Sequence, residues 1–186
     1  MDICVLATQS PCPCLHGVDH VTPKRPDSPN ALDPALIDAL DDYFQKMQRD
    51  RDTRVIVLKG AGANFCAGLD LKSAVARRKT AGAAGRHRVF GFAALHRRHC
   101  DADATLPATY HSALKRCRSR GGFALALAAD IRIATKNARM NCAFIKLGLG
   151  GCEIGSSYFL TRLVGVSVAS ELILTGRLSG RLERSR

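Results

Sequence analysis

The stretch RVIVLKGAGANFCAGLDLK, residues 54–72, joins a strand pattern to a glycine-rich loop. Its first part, Val55-Ile56-Val57-Leu58, is a short β-branched run bounded by Gly60, Gly62 and Asn64. That pattern predicts a buried strand feeding a glycine-rich loop. The pair Gly60-x-Gly62 is not a dinucleotide fingerprint, because Phe65 stands where a third glycine belongs. From Phe65 the chain passes through Cys66-Ala67-Gly68-Leu69-Asp70 into a helical stretch predicted to end near Arg78. One reading is a turn with a packed Phe ahead of a helix. The other is functional: a helix start at the end of a buried strand offers free backbone N–H groups to an anion or a polarised carbonyl.

Upstream, Arg25-Pro26-Asp27-Ser28-Pro29-Asn30-Ala31-Leu32-Asp33 reads as a turn-rich loop. A helix follows, with Asp33 as N-cap and Pro34 at the first helical position. Its apolar side chains Leu36, Ile37, Leu40, Phe44 and Met47 recur at three- and four-residue steps, and Arg49–Asp52 form a solvated exit. Downstream, Gly121–Ala129 is a nearly uncharged helix opened by two glycines, and its uniform apolarity buries it. Asp130–Thr135 reads as the next strand and Phe144–Gly151 as a second glycine loop. Helices are expected from Gly155 to about Val164 and over Val168–Leu174. Residues 1–20 show no clean period and read as an irregular segment before a core at 21–176, with a short basic tail at 177–186.

The chain has 186 residues, 46% hydrophobic and 24% charged, which fits one globular domain. No apolar run approaches a membrane span, and Met1–Thr8 lacks the apolar core of a signal peptide, so a cytoplasmic protein is expected. The net charge of +12 is local. Residues 77–120 hold 11 basic and 2 acidic side chains, and the tail 177–186 holds 4 and 1; the rest is close to neutral. Eight cysteines without a secretory signal read as thiols rather than a disulfide framework. Cys12-x-Cys14-x-His16 with His20 lacks a second ligand pair at finger spacing, so no metal is expected.

Five segments together resemble the crotonase, or enoyl-CoA hydratase/isomerase, superfamily. They are RPDSPNALDPALIDAL (25–40), RVIVLKGAGANFCAGLDLK (54–72), GGFALALAADIRIAT (121–135), FIKLGLGG (144–151) and LTRLVGVSVASELILTG (160–176), in family order and spacing. The resemblance implies an α/β fold, a spiral of repeated ββα units, usually trimeric. It implies acyl-CoA thioester substrates within fatty-acid or lipid metabolism, with coenzyme A part of the substrate and no separate cofactor. Carried over by position, the oxyanion donors are the backbone N–H groups of Ala67 and Gly121, with Ala67, Gly68, Leu69, Asp70 and Gly121 along the CoA moiety. Fixed dipoles aimed where charge develops are usually the largest catalytic term. The two glutamates of true hydratases fall on Ala124 and Phe144, which cannot transfer a proton. Glu153 lies where isomerase-type members hold an acidic side chain, so double-bond isomerisation is favoured over hydration. Its structural alternative is a helix N-cap ahead of Ile154.

The basic block does not fit the family. Where the family has an apolar strand before its glycines, this chain reads PATYHSALKRCRSRGG from Pro107 to Gly122. Read one base later, with Arg as CGN and Ser as AGY, those codons permit Pro-Gln-Pro-Ile-Ile-Ala-Leu-Ser-Asn-Gly-Ala-Ala-Ala-Gly, the missing strand in register. A compensated pair of frameshifts is therefore one origin for the block. Taken as written, a strand bearing Lys115, Arg116, Arg118 and Arg120 would bury unpaired charge at several kcal/mol per ion, against a domain stability of about 5–15 kcal/mol. The expectation is that the block is expelled and Gly121 loses its position. The tail also stops where the family continues into C-terminal helices. An inactive remnant that at most binds CoA is thus the alternative reading. A nucleic-acid binder is more remote, because the block holds only Phe90, Phe92 and Tyr110 for base stacking.

Overall fold

The computed structural model describes residues 6–8, 17–25, 27–73, 108–114, 120–136, 138–148, 150 and 155–180. Cys12, Cys14, His16, Glu153 and most of the basic block lie outside the described residues. Among the described residues no helix is long and apolar enough to cross a membrane.

A five-stranded sheet organises the fold, in the order β1 (Leu6–Thr8), β2 (Val18–Pro23), β3 (Val55–Lys59), β4 (Thr109–Leu114) and β5 (Ile131–Ala134). β1 runs antiparallel to β2, and every later pairing is parallel. Parallel neighbours need crossovers, and for two of the three pairs a described helix supplies one. Helix α1 (Pro34–Met47) joins β2 to β3, and α2 (Arg120–Leu127) joins β4 to β5. Beyond the sheet follow β6 (Arg139–Asn141), α3 (Ser156–Val164), α4 (Val166–Thr175) and β7 (Leu178–Gly180), with β6 and β7 paired antiparallel.

Helix α1 starts where its sequence says. The Asp33 side chain accepts the Leu36 N–H at 2.9 Å, Pro34 occupies the first turn, and Leu36, Ile37, Leu40, Tyr43 and Phe44 are buried. Strand β3 is buried on one face only: Ile56 and Leu58 are fully enclosed, while Val55, Val57 and Lys59 are half-buried. The reading of residues 1–20 as irregular is corrected, because Leu6–Thr8 and Val18–His20 pair within the sheet. Both pieces are too short for a period to show, and their order comes from their neighbours.

The larger correction concerns the basic block. Thr109–Leu114 is not expelled; it is an inner strand between β3 and β5. Its side chains alternate, with Tyr110, Ser112 and Leu114 buried and His111 and Ala113 half-buried. Between Pro107 and Gly122 the charges begin only at Lys115, so the six residues inside the sheet contain no lysine or arginine. Tyr110 fills the space beneath the helices. Its ring meets Phe44 edge-on at 5.7 Å, and its hydroxyl donates to the Leu125 carbonyl of α2 at 3.2 Å. The Asp130 carboxylate accepts the Tyr110 N–H at 2.7 Å, which ties the strand to the exit of α2.

Helix α2 is buried at every position from Gly122 to Leu127, and the burial continues through Ala129, as its all-round apolarity predicts. Strand β5 forms as expected but presents Ile131 and Ile133 outward, 50% and 61% exposed. Arg132 turns inward between them and caps the end of α2, donating to the Leu127 carbonyl at 3.3 Å and also to that of Ala129.

Candidate functional site

The site forms where the loop after β3 meets the first turn of α2. The loop closes tightly on itself. A Cβ at Gly60 would stand 2.1 Å from the Phe65 carbonyl oxygen and 2.2 Å from that of Asn64, so only glycine fits. Phe65 and Cys66 are buried and anchor the turn. The chain then runs alongside residues 29–32. The Ala67 N–H donates to the Pro29 carbonyl at 2.9 Å, Leu32 N–H to Gly68 at 2.7 Å, and Asp70 N–H to Leu32 at 2.9 Å. Gly68 sits at φ +89°, a left-handed conformation suited to glycine, with its N–H 3.3 Å from the Cys66 sulfur.

This ladder reassigns the loop donor. Ala67 has no N–H to offer a ligand, because Pro29 already holds it. Leu69 differs. It forms an isolated parallel bridge with Leu32 that uses the Gly68 carbonyl and the Asp70 N–H. In a parallel bridge the central residue's own N–H and C=O point away from the partner strand. The Leu69 N–H therefore faces away from Leu32, and it has no acceptor among the described residues.

The second arm is the start of α2. First-turn N–H groups of a helix have no intrahelical acceptor, and those of Arg120, Gly121 and Gly122 are the first here. The helix reaches the loop because Gly122 has no side chain. A Cβ there would lie 2.5 Å from the Cys66 carbonyl oxygen and 2.9 Å from the Cys66 Cβ. Loop and helix start are thus in backbone contact, and Gly121 lies in the first turn of α2.

Asp70 serves the architecture. Its carboxylate takes the Arg25 guanidinium at 3.1 Å and the N–H groups of Lys72 and Ser73 at 3.1 and 3.4 Å, capping the turn at residues 71–73. Burial alone would raise this carboxyl, but the bonds from Arg25, Ser73 and Lys72 outweigh it and hold it below the usual range. Its side chain is therefore engaged within the fold. Ala124 and Phe144, at the two glutamate positions, are both buried, and Glu153 lies outside the described residues. Behind the loop, burial pushes the Tyr110 hydroxyl far above its ordinary pKa, aided by Cys66 and Asp130, so it stays a donor at any working pH.

Comparison with known proteins identifies the family. The sequence profile described as enoyl-CoA hydratase/isomerase matches residues 15–185. The protein named "Probable enoyl-CoA hydratase echA12" from Mycobacterium leprae is 34% identical over 163 residues, 88% of this chain and 55% of that protein. The (E)-benzylidenesuccinyl-CoA hydratase of Thauera aromatica is 31% identical over 179 residues, 91% of this chain and 63% of that one. Among solved structures, Pseudomonas aeruginosa AtuE superposes with a TM-score of 0.81 at 28% identity, covering 95% of this chain and 64% of that chain. The chain spans between half and two thirds of the length of these relatives.

Proposed function

The chain belongs to the enoyl-CoA hydratase/isomerase family, and on that premise we propose that it binds an acyl-CoA thioester with the thioester oxygen between the N–H groups of Leu69 and Gly121. The observation that carries this reading is the backbone contact between Gly122 and Cys66, which brings a loop N–H and a helix start together. Removing a proton next to a thioester carbonyl moves negative charge onto the oxygen. Two fixed donors stabilise that charge without reorganising, each worth a factor of about 10²–10³ in rate.

Glu153 is the proton carrier in this reading. Its carboxylate takes a proton from C2 of a 3-enoyl-CoA, giving a dienolate, and returns it to C4, leaving the 2-enoyl-CoA. One carboxylate suffices for that transfer. Two-glutamate hydration needs groups that Ala124 and Phe144 do not supply. The test is Glu153→Gln, assayed with 3-enoyl-CoA for isomerisation and with 2-enoyl-CoA for hydration. Isomerisation falls by about 10²–10⁴ while acyl-CoA affinity is kept. Unchanged isomerisation in the variant, or hydration as the dominant wild-type activity, refutes the assignment. The two apolar residues at the glutamate positions also favour a second reading, a family member that binds acyl-CoA without turnover. Binding of butyryl-CoA with neither activity detectable selects it.

A further inference from the structure

Asn30 is fully buried and is the sole non-glycine residue with positive φ, +55°, among the described residues. Holding a side chain there costs about 1 kcal/mol or more. What compensates is a set of bonds that all converge on the candidate site. The side-chain amide donates to the carbonyls of Ala61 at 2.9 Å and Asn64 at 2.8 Å, and its oxygen accepts the Arg25 N–H at 2.9 Å. Residues 61 and 64 flank the turn leading into Phe65–Asp70. The backbone on either side of Asn30, at Pro29 and Leu32, carries the ladder that orients Leu69. Arg25 reinforces the same joint, reaching the Ala31 carbonyl at 2.6 Å, Asp70 at 3.1 Å and Asp33 at 3.4 Å. One side chain therefore fastens both ends of the turn against the segment that templates the Leu69 N–H.

We propose that Asn30 is a positioning residue for the thioester-oxygen site, aligning the Leu69 N–H through the 29–32 backbone without touching substrate. The inference rests on the oxyanion reading above. Its consequence is specific, since a donor displaced by about 1 Å loses most of its hydrogen bond and about 10²-fold in rate.

The experiment uses the full chain with butyryl-CoA carrying 13C at the thioester carbonyl, a saturated ligand that is neither hydrated nor isomerised. Infrared difference spectra report how strongly the bound carbonyl is polarised. Two variants are compared with wild type. Asn30→Gly keeps the left-handed backbone but removes all three side-chain bonds, and Asn30→Asp keeps the acceptor for Arg25 but loses both donors. The wild type shows a downward carbonyl shift on binding, and both folded variants lose most of it while retaining acyl-CoA affinity. With an isomerisable 3-enoyl-CoA, kcat falls and KM changes little. Variants that are less heat-stable but keep the full carbonyl shift reduce Asn30 to a structural role and overturn the proposal. Absence of any shift in the wild type instead overturns the oxyanion reading itself. Should Asn30→Gly not fold, Asn30→Asp decides between the first two outcomes.

Discussion

Replacing Gly122 by alanine tests the site at its tightest point. The added methyl group would stand 2.5 Å from the Cys66 carbonyl oxygen, 2.9 Å from its Cβ and 3.1 Å from its carbonyl carbon. Two of those three atoms are backbone, so no side-chain rotation relieves the overlap. Reaching ordinary contact at 3.4 Å requires a retreat of roughly 0.9 Å between helix and loop. Overpacking of this kind costs about 1–3 kcal/mol, but alanine returns about 1 kcal/mol of helix propensity over glycine. The net stability loss is therefore only about 0–2 kcal/mol, which leaves the protein folded. The same retreat draws the Gly121 donor away from the thioester oxygen, worth about 10²–10³ in kcat. Activity thus falls far more than stability. The assay pairs 3-enoyl-CoA isomerisation with the thermal midpoint and the carbonyl band of bound butyryl-CoA. Gly165→Ala is the control, since Gly165 has φ +78° with open space around its Cβ, so only backbone strain is added between α3 and α4. A folded Gly122→Ala protein with near-wild-type kcat and an unchanged carbonyl band refutes the reasoning. So does a Gly165→Ala protein that loses as much activity.

Two further outcomes are expected. Tyr110→Phe removes the hydroxyl that donates to the Leu125 carbonyl and leaves that buried acceptor unpaired, so denaturant unfolding shows a loss of about 1–3 kcal/mol; an unchanged midpoint contradicts the role assigned to this side chain. His20 has a buried Nδ1 without a partner among the described residues; burial and then the Lys59 ammonium lower its pKa below the ordinary 6.5, with Asp19 opposing. A lowered histidine pKa means the unfolded chain binds the proton more readily, so this contribution is complete above about pH 6.5 and is lost as pH falls below it. The thermal midpoint then declines more steeply below pH 6.5 in wild type than in His20→Gln, and parallel curves would remove His20 from the account.

The sequence makes legible the elements whose signals are local. Asp33 and Pro34 marked the start of α1, the β-branched Val55–Leu58 marked β3, and the small apolar residues after Gly121 marked α2 as buried. It also marks two glycine-rich stretches, and Gly60, Gly68 and Gly122 within them sit where a backbone must turn or approach closely. It misjudged Thr109–Leu114, where the charges just downstream concealed a neutral six-residue alternation. That strand is recognisable only once β3 and β5 stand on either side to pair with it. The sequence likewise chose Ala67 where the structure leaves Leu69, two residues on, as the available donor. Spacing along a chain says which residues reach a site. Which N–H stays free depends on which carbonyl lies opposite, here Pro29 and Leu32 from a loop more than thirty residues earlier. Hydrogen-bond partners separated that far in sequence are set by how the folded segments pack.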